Sequence, residues 1–225
     1  MSPRPVDARD LTSTELFGPC AADAVERLCE RGRVRSLQRH QVLFFEGDAV
    51  DSLAVVRSGR LKVYSTSSGG DELLLSIADP GETLGELGVL DAEARSATVA
   101  AMEASEVVLI PRDDLLRALE ADPELSRRLQ TRITALARRL TASSTDLAFV
   151  DLPRRLAKAL VARQAAHNSA EGLALSQSDL ASMVGGSRQA VNAALAGFER
   201  RGWVTLEAGR VVSLDAAALT KFADS

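Results

Sequence analysis

Turn-forming glycines punctuate residues 34–111 every ten to twelve positions, and that spacing limits the fold more than any other feature of the chain. They lie in Glu46-Gly47-Asp48, Arg57-Ser58-Gly59, Ser68-Gly69-Gly70-Asp71 and Asp79-Pro80-Gly81. Around them sit short apolar runs: QVLFF (41–45), SLAVV (52–56), RLKVYS (60–65), ELLLSI (72–77) and SEVVLI (105–110). Such runs, bounded by glycine, proline and aspartate, read as strands. Many short, evenly spaced strands fold as a small antiparallel barrel or roll. A barrel of that size has a mouth or interior that holds one small ligand.

Residues 83–99, TLGELGVLDAEARSATV, gather polar groups between apolar flanks. Gly85 and Gly88 let backbone approach a bound group closely. Arg95 supplies a planar donor fork suited to phosphate, and Ser96 adds a hydroxyl. Glu86 cannot bind phosphate but can accept from a sugar hydroxyl beside it. The stretch reads as a sugar-phosphate cradle; the alternative is a surface hairpin with a glycine turn. A metalloenzyme barrel of the cupin type needs clustered histidines. Here only His40 and His167 occur, neither with a partner at ligand spacing, and both read as surface or turn residues. No metal site and no catalytic residue is expected.

The 46% apolar content supports a real core, and 26% charged residues favour solubility. No apolar run approaches the ~20 residues that span a bilayer. The opening MSPRPVDARD has no apolar signal-peptide core. Cys20 and Cys29 are too few for a disulfide framework, so the expected setting is cytoplasmic. The net charge of −4 hides an asymmetry: from Asp151 onward nine Lys/Arg face seven Asp/Glu, a balance of +2, leaving −6 before it. The sign suits a C-terminal part that meets an anion.

A helix is expected over residues 14–31, from Leu16, Ala21, Ala24, Val25 and Leu28. Asp122-Pro123-Glu124 marks the start of a longer one. From there Leu129, Ile133, Leu136, Leu140, Ser143, Leu147 and Val150 are spaced 4-3-4-3-4-3, a heptad seam for a second copy. The alternative is one helix lying on the barrel. Arg127, Arg128, Arg132, Arg138 and Arg139 fall off the seam and are expected to be solvated or to cover its edges. Ser143, with Ser144 beside it, puts polarity into the seam, where a buried polar group needs a partner. Either the serines bond each other and the backbone, or an inserted ligand uses them and so touches both protomers.

Asp151-Leu152-Pro153 starts another helix, and residues 165–175 turn through Asn168, Ser169 and Gly172. Ser176 to Asp179 reads as a capping box. Helices are expected at 177–184 and 188–201, joined by Gly185-Gly186 with Ser187 as the second N-cap. Ala181, Gly185 and Val191 have the separations of a helix-turn-helix. Residues 203–206 and 210–214 form a hairpin, or wing, around Glu207-Ala208-Gly209. This is a DNA-binding pattern rather than a plain helical hairpin. Ser187, Arg188, Gln189 and Asn192 lie where side chains reach base edges; arginine suits guanine, and glutamine or asparagine suits adenine. Arg200, Arg201 and Arg210 suit backbone phosphates.

Three passages in order, GELGVLDAEARSA (85–97), ARRLTASSTDLAFVDLPRRLAKAL (137–160) and LSQSDLASMVGGSRQAVNAAL (175–195), resemble the cyclic AMP receptor protein/FNR family of bacterial transcription regulators. The resemblance implies an α+β chain: an antiparallel β-roll of the cyclic-nucleotide-binding type (1–121), a dimerisation helix (122–150) and a winged helix-turn-helix (151–225). It places Gly85, Glu86 and Leu87 along ribose and phosphate, Glu86 on the ribose hydroxyl, Arg95 on the cyclic phosphate and Ser96 beside it. Ser143 and Ser144 match positions that contact adenine, Ser144 from the partner subunit. The implied protein is a homodimer on double-stranded DNA, with cyclic AMP as effector, no prosthetic group, and RNA polymerase as a partner if it activates. Two cysteines do not suit the iron–sulfur branch, and haem ligation is not expected. Two departures stand out. The recognition helix has Gln189 where well-known members carry glutamate, and Ala193 where they carry a basic residue. The stretch from Leu140 to Phe149 is a few residues short. Alternatives are a relative that needs no ligand or uses another one and, remotely, an enzyme with a regulatory cyclic-nucleotide domain.

Overall fold

The structure is a computed structural model that describes residues 5–166 and 175–224. Two compact units make up the chain: Met1–Ser65 with Leu75–Arg138, and Thr66–Leu74 with Arg139–Ser225. His167 and most of the expected 165–175 turn lie outside the described residues.

Up to the long helix the elements run α1 (Ala8–Thr12), α2 (Ala22–Arg31), β1 (Arg33–Leu37), β2 (Val42–Phe44), β3 (Ser52–Ser58), β4 (Leu61–Thr66), β5 (Glu72–Ala78), β6 (Thr83–Leu84), α3 (Glu86–Asp91), β7 (Thr98–Ala101), β8 (Ser105–Pro111), α4 (Arg112–Ala121) and α5 (Pro123–Phe149). Two four-stranded sheets, ordered β1-β8-β3-β6 and β2-β7-β4-β5, form the expected antiparallel roll. The continuous apolar runs of β3 and β8 follow from burial on both faces. Ala54, Val56, Val107 and Leu109 point into the roll. Leu53, Val55, Val108 and Ile110 point to a second core, shared with Leu11, Leu28, Leu115 and Leu125 from the helices. Burying each of these Val, Leu and Ile side chains contributes about 1.5–3 kcal/mol.

The helix expected over 14–31 starts only at Ala22. Gly18-Pro19 interrupts it, because proline disfavours helical backbone at the residue before it. Leu16 and Phe17 are nevertheless buried in the turns that precede the break. The cradle stretch folds as β6, α3 and β7 rather than as a hairpin.

Asp122 caps α5 as expected, its Oδ1 accepting from the backbone N–H groups of Glu124 at 2.9 Å and Leu125 at 3.1 Å. The seam is divided in use. Leu129 is 2% exposed and belongs to the roll's second core, with Ile133 packed against it. Leu140 and Leu147 are 40% and 42% exposed. Of the arginines expected to be solvated or to cover the seam's edges, Arg127 is exposed and paired with Glu124, and two others are engaged by the first unit. Arg128 Nε donates to the Leu16 carbonyl at 2.9 Å, and Arg132 reaches the carboxylate of Glu86.

The second unit contains α6 (Leu152–Ala166), α7 (Gln177–Val184), α8 (Arg188–Arg200), β9 (Val204–Glu207), β10 (Arg210–Leu214) and α9 (Ala216–Ala223). The capping box forms as read: Ser176 Oγ accepts from the Asp179 N–H at 3.1 Å, and Asp179 Oδ2 accepts from the Ser176 N–H at 3.1 Å. Leu156, Leu160, Leu180, Val191, Leu195 and Phe198 make its core. Phe198, Trp203 and Phe222 close one end as a ring cluster, with centroids 5.5–5.9 Å apart.

Candidate functional site

Gly85 ends β6 and begins α3 in the left-handed region, at φ 86°, where only glycine sits without strain. A Cβ at that position would run into Nη1 of Arg95. The glycine is therefore what brings the Arg95 guanidinium against the backbone that opens α3. Arg95 is 5% exposed. Its Nη2 donates to the Ser52 carbonyl at 2.7 Å, its Nη1 lies 3.4 Å from the Gly85 carbonyl, and its plane sits 4.1 Å from the Phe44 ring centroid. Asp51 contributes a carboxylate at 3.6 Å. Nε is buried with no hydrogen-bond partner among the described residues.

Burial pushes the pKa of this guanidinium down from its ordinary value, against the opposing pull of Asp51 and then Asp48. An arginine stays protonated in proteins. Burial thus outweighs the two nearby carboxylates, and an anion within reach of Nε would further favour the charged form.

Glu86, the first residue of α3, accepts from the Thr83 hydroxyl at 2.6 Å and from Arg132 Nη2 at 3.5 Å. Its carboxylate is thus held by a neighbour on β6 and by a cation on α5. Leu87 is half-buried and Ser96 is exposed. The structure thus gathers Gly85, Glu86 and Arg95 at one end of the roll. Ser143 and Ser144, which belong to the second unit, are both exposed on α5. Sequence reading missed Thr83, Phe44, Ser52 and Arg132. Threonine three residues before the acid was the one local clue, since the others are remote in the chain.

In the second unit Ser187 acts as N-cap of α8, its Oγ accepting from the Ala190 N–H at 3.1 Å. Arg188, Gln189 and Ala193 are exposed on α8, while Val191 and Leu195 are buried beneath them. Asn192 is half-buried, and its Oδ1 is enclosed without a partner among the described residues. Arg200 and Arg210 are exposed. Arg201 is exposed too, but its Nη1 donates to the Gly197 carbonyl at 3.0 Å and its guanidinium lies 5.2 Å from the Trp203 ring.

The cyclic nucleotide-binding domain profile matches residues 34–122, and the Crp-like helix-turn-helix domain profile matches residues 154–222. Across 94% of its length the chain is 31% identical to the CRP-like cAMP-activated global transcriptional regulator of Mycobacterium tuberculosis, covering 97% of that protein. The chain belongs to the cyclic AMP receptor protein/FNR family of transcription regulators. This family member is also 29% identical to the cyclic AMP receptor protein of Thermus thermophilus, over 95% of this chain and 98% of that one. Its fold matches the c-di-GMP responsive global regulator CLP of Xanthomonas campestris at a TM-score of 0.76, with 22% identity over 87% of this chain and all of that one. The regulator is a DNA-binding protein with a cyclic-nucleotide-binding domain, and not an enzyme. Among its described residues no helix is long and apolar enough to cross a membrane.

Proposed function

We propose that this regulator works as a cytoplasmic homodimer whose affinity for double-stranded DNA is set by cyclic AMP. The observation that carries the reading is the buried Arg95 guanidinium, with Nη1 against Gly85 and Nε without a partner among the described residues. A cyclic phosphate there supplies a further negative charge and the acceptor that Nε lacks. Glu86 next to it is left to accept from the ribose hydroxyl, with Gly85 and Leu87 along ribose and phosphate and Ser96 beside Arg95 on the phosphate. Ser143 and Ser144 are assigned to the adenine through the family resemblance, Ser144 across the dimer. The exposed Leu140 and Leu147 support a second copy on α5. Ser187, Arg188, Gln189, Arg200, Arg201 and Arg210 form the DNA set, while Asn192, expected at the base edges from the sequence, has its Oδ1 enclosed and is left out of it. The functional division is 1–121, 122–150 and 151–225, and RNA polymerase is a partner if the protein activates.

A ligand shifts an equilibrium only by its differential affinity for the two states. A ribose hydroxyl that takes an acceptor site on Glu86 changes what Arg132 on α5 can hold, so the cradle and the dimer helix share a group. The test is calorimetric titration of the dimer with cyclic AMP, cyclic GMP and c-di-GMP, followed by gel shift. Saturable cyclic AMP binding that vanishes in Arg95→Ala, with the fold retained by circular dichroism, supports the reading. An unchanged cyclic AMP response in that variant would sink it. One feature favours a second reading, a regulator that needs no ligand: Arg95 already donates to the Ser52 carbonyl and stacks on Phe44. That reading predicts no heat with any of the three nucleotides and full DNA binding without them.

A further inference from the structure

The outward face of α8 is chemically sparse. In its first half the exposed residues are Arg188, Gln189 and Ala193. Arg188 carries donors only, which fit the O6 and N7 acceptors of guanine. Adenine offers an N7 acceptor and an N6 donor, so reading it with one side chain needs an acceptor and a donor presented together. Two amides of this helix qualify by type, Gln189 and Asn192. Asn192 fails on geometry, because one end of its amide is enclosed without a partner among the described residues. Exchanging the amide oxygen and nitrogen, which scatter alike, does not rescue it. Either assignment leaves one of the two required atoms inside. Gln189 is exposed, so its amide can present both ends to the groove.

Ala193 follows Gln189 by four positions and shares its face. At about 1.5 Å per residue it lies about 6 Å further along the axis. That corresponds to about two base-pair steps at 3.4 Å each. A methyl group makes no hydrogen bond, and its match in the major groove is the C5-methyl of thymine.

We infer that α8 reads a guanine through Arg188, an adjacent adenine through Gln189, and a thymine methyl about two steps further through Ala193, with Asn192 taking no part in base reading. This rests on the DNA-binding reading of the same helix. It assigns the individual bases of the half-site, which that reading leaves open.

The experiment is selection from a randomised duplex pool with the full-length protein, with and without cyclic AMP, repeated with Gln189→Glu and Asn192→Ala. The wild-type protein is expected to enrich a guanine next to an adenine. Gln189→Glu should exchange that adenine for cytosine, whose N4 donates to a carboxylate, with a preference of about 5- to 150-fold. Asn192→Ala should select the wild-type site. Replacing the selected thymine by uracil removes one methyl and should weaken binding about fourfold. The inference is overturned if Gln189→Glu selects the wild-type base, if Asn192→Ala loses the adenine, or if uracil binds as well as thymine. A wild-type protein that binds no duplex under either condition fails the DNA-binding reading instead. One that binds DNA but enriches nothing retains that reading and overturns this one.

Discussion

Arg155 Nε donates to the carbonyl of Val184, the last residue of α7, at 2.9 Å. The same guanidinium reaches back through Nη1 to the carbonyl of Val150, just past the end of α5, at 2.6 Å. One side chain on α6 thus satisfies two carbonyls at helix ends, where backbone acceptors lack intrahelical partners and a cation meets the negative end of the dipole. Charged hydrogen bonds of this kind are worth about 1.5–3 kcal/mol each. Arg155→Ala is therefore expected to lower the stability of the C-terminal unit by about 3 kcal/mol or more, read by urea unfolding followed through Trp203 fluorescence. Arg155→Lys should recover only part of the loss, because an ammonium is a point charge without the fork that serves two separated carbonyls. Full recovery by lysine would contradict the two-carbonyl role.

The turn between α7 and α8 has no room for side chains. Gly185 is left-handed at φ 60°, and a Cβ there would lie 2.8 Å from Leu147 Cδ2. A Cβ on Gly186 would run into Leu152 Cδ1. Gly186→Ala should cost about 1–3 kcal/mol through overpacking. Since the turn sets the angle between the two helices, the variant should also lose DNA affinity at temperatures where it remains folded. Unfolding curves and gel shifts on the same preparation separate the two effects.

Legibility in the sequence tracked how local each cause is. The strands β3, β4, β5 and β8 were visible because their apolar runs are bounded by turn glycines within a few residues. The caps of α7 and α8 were visible because Asp179 lies three residues from Ser176, and Ser187 directly precedes α8. By contrast β1, RVRSL, carries two arginines in five residues and shows a single buried side chain, so its pattern does not read as a strand. Helix α3 hid because neither end has a side-chain cap: it begins at Gly85 and ends at Ala92, and alanine at φ 60° has no signature in a sequence. Within the cradle, Gly85, Glu86 and Arg95 are close in the chain and were found together. Arg132 meets Glu86 from 46 residues away, a pairing only the packing of α5 on the roll creates. The direction of the Asn192 amide likewise depends on how α8 packs, which its residue type alone does not reveal.

Glu103 gives a pH dependence whose sign follows from its partner. Arg60 pairs with it through both ends of the carboxylate, at 3.0 and 3.1 Å. The hydrogen bonds from Arg60 hold its pKa below the ordinary glutamate value, burial opposes, and the charges of Arg60 and Arg39 add to the lowering. A carboxyl with a lowered pKa in the folded state contributes stability above its unfolded pKa and loses it as pH falls through the folded one. The wild-type advantage over Arg60→Ala should therefore be full at neutral pH and fade in mildly to strongly acidic solution. Side-chain carboxyl titration by NMR should show Glu103 returning toward the ordinary value in Arg60→Ala. An unmoved titration would remove Arg60 as the cause.

Arg132 provides the sharpest test of coupling between cradle and helix, because its contact in the cradle is Glu86 and not Arg95. Its side chain is 23% exposed and that of Glu86 13%, so their contact is partly shielded from solvent. With Arg132→Ala, Glu86 keeps the 2.6 Å bond from Thr83 and so remains positioned to meet a ribose hydroxyl. Nucleotide affinity should then change little, while the nucleotide's effect on DNA affinity should shrink by about 0.5–2 kcal/mol. Calorimetry of nucleotide binding and gel shifts with and without nucleotide measure the two quantities separately. Equal loss in both would make Arg132 a simple ligand contact, and no loss in either would leave the Glu86 pair a structural one. An Arg132→Lys variant decides between charge and geometry. At the 3.5 Å separation seen here the interaction is mainly electrostatic, so lysine should preserve most of the coupling.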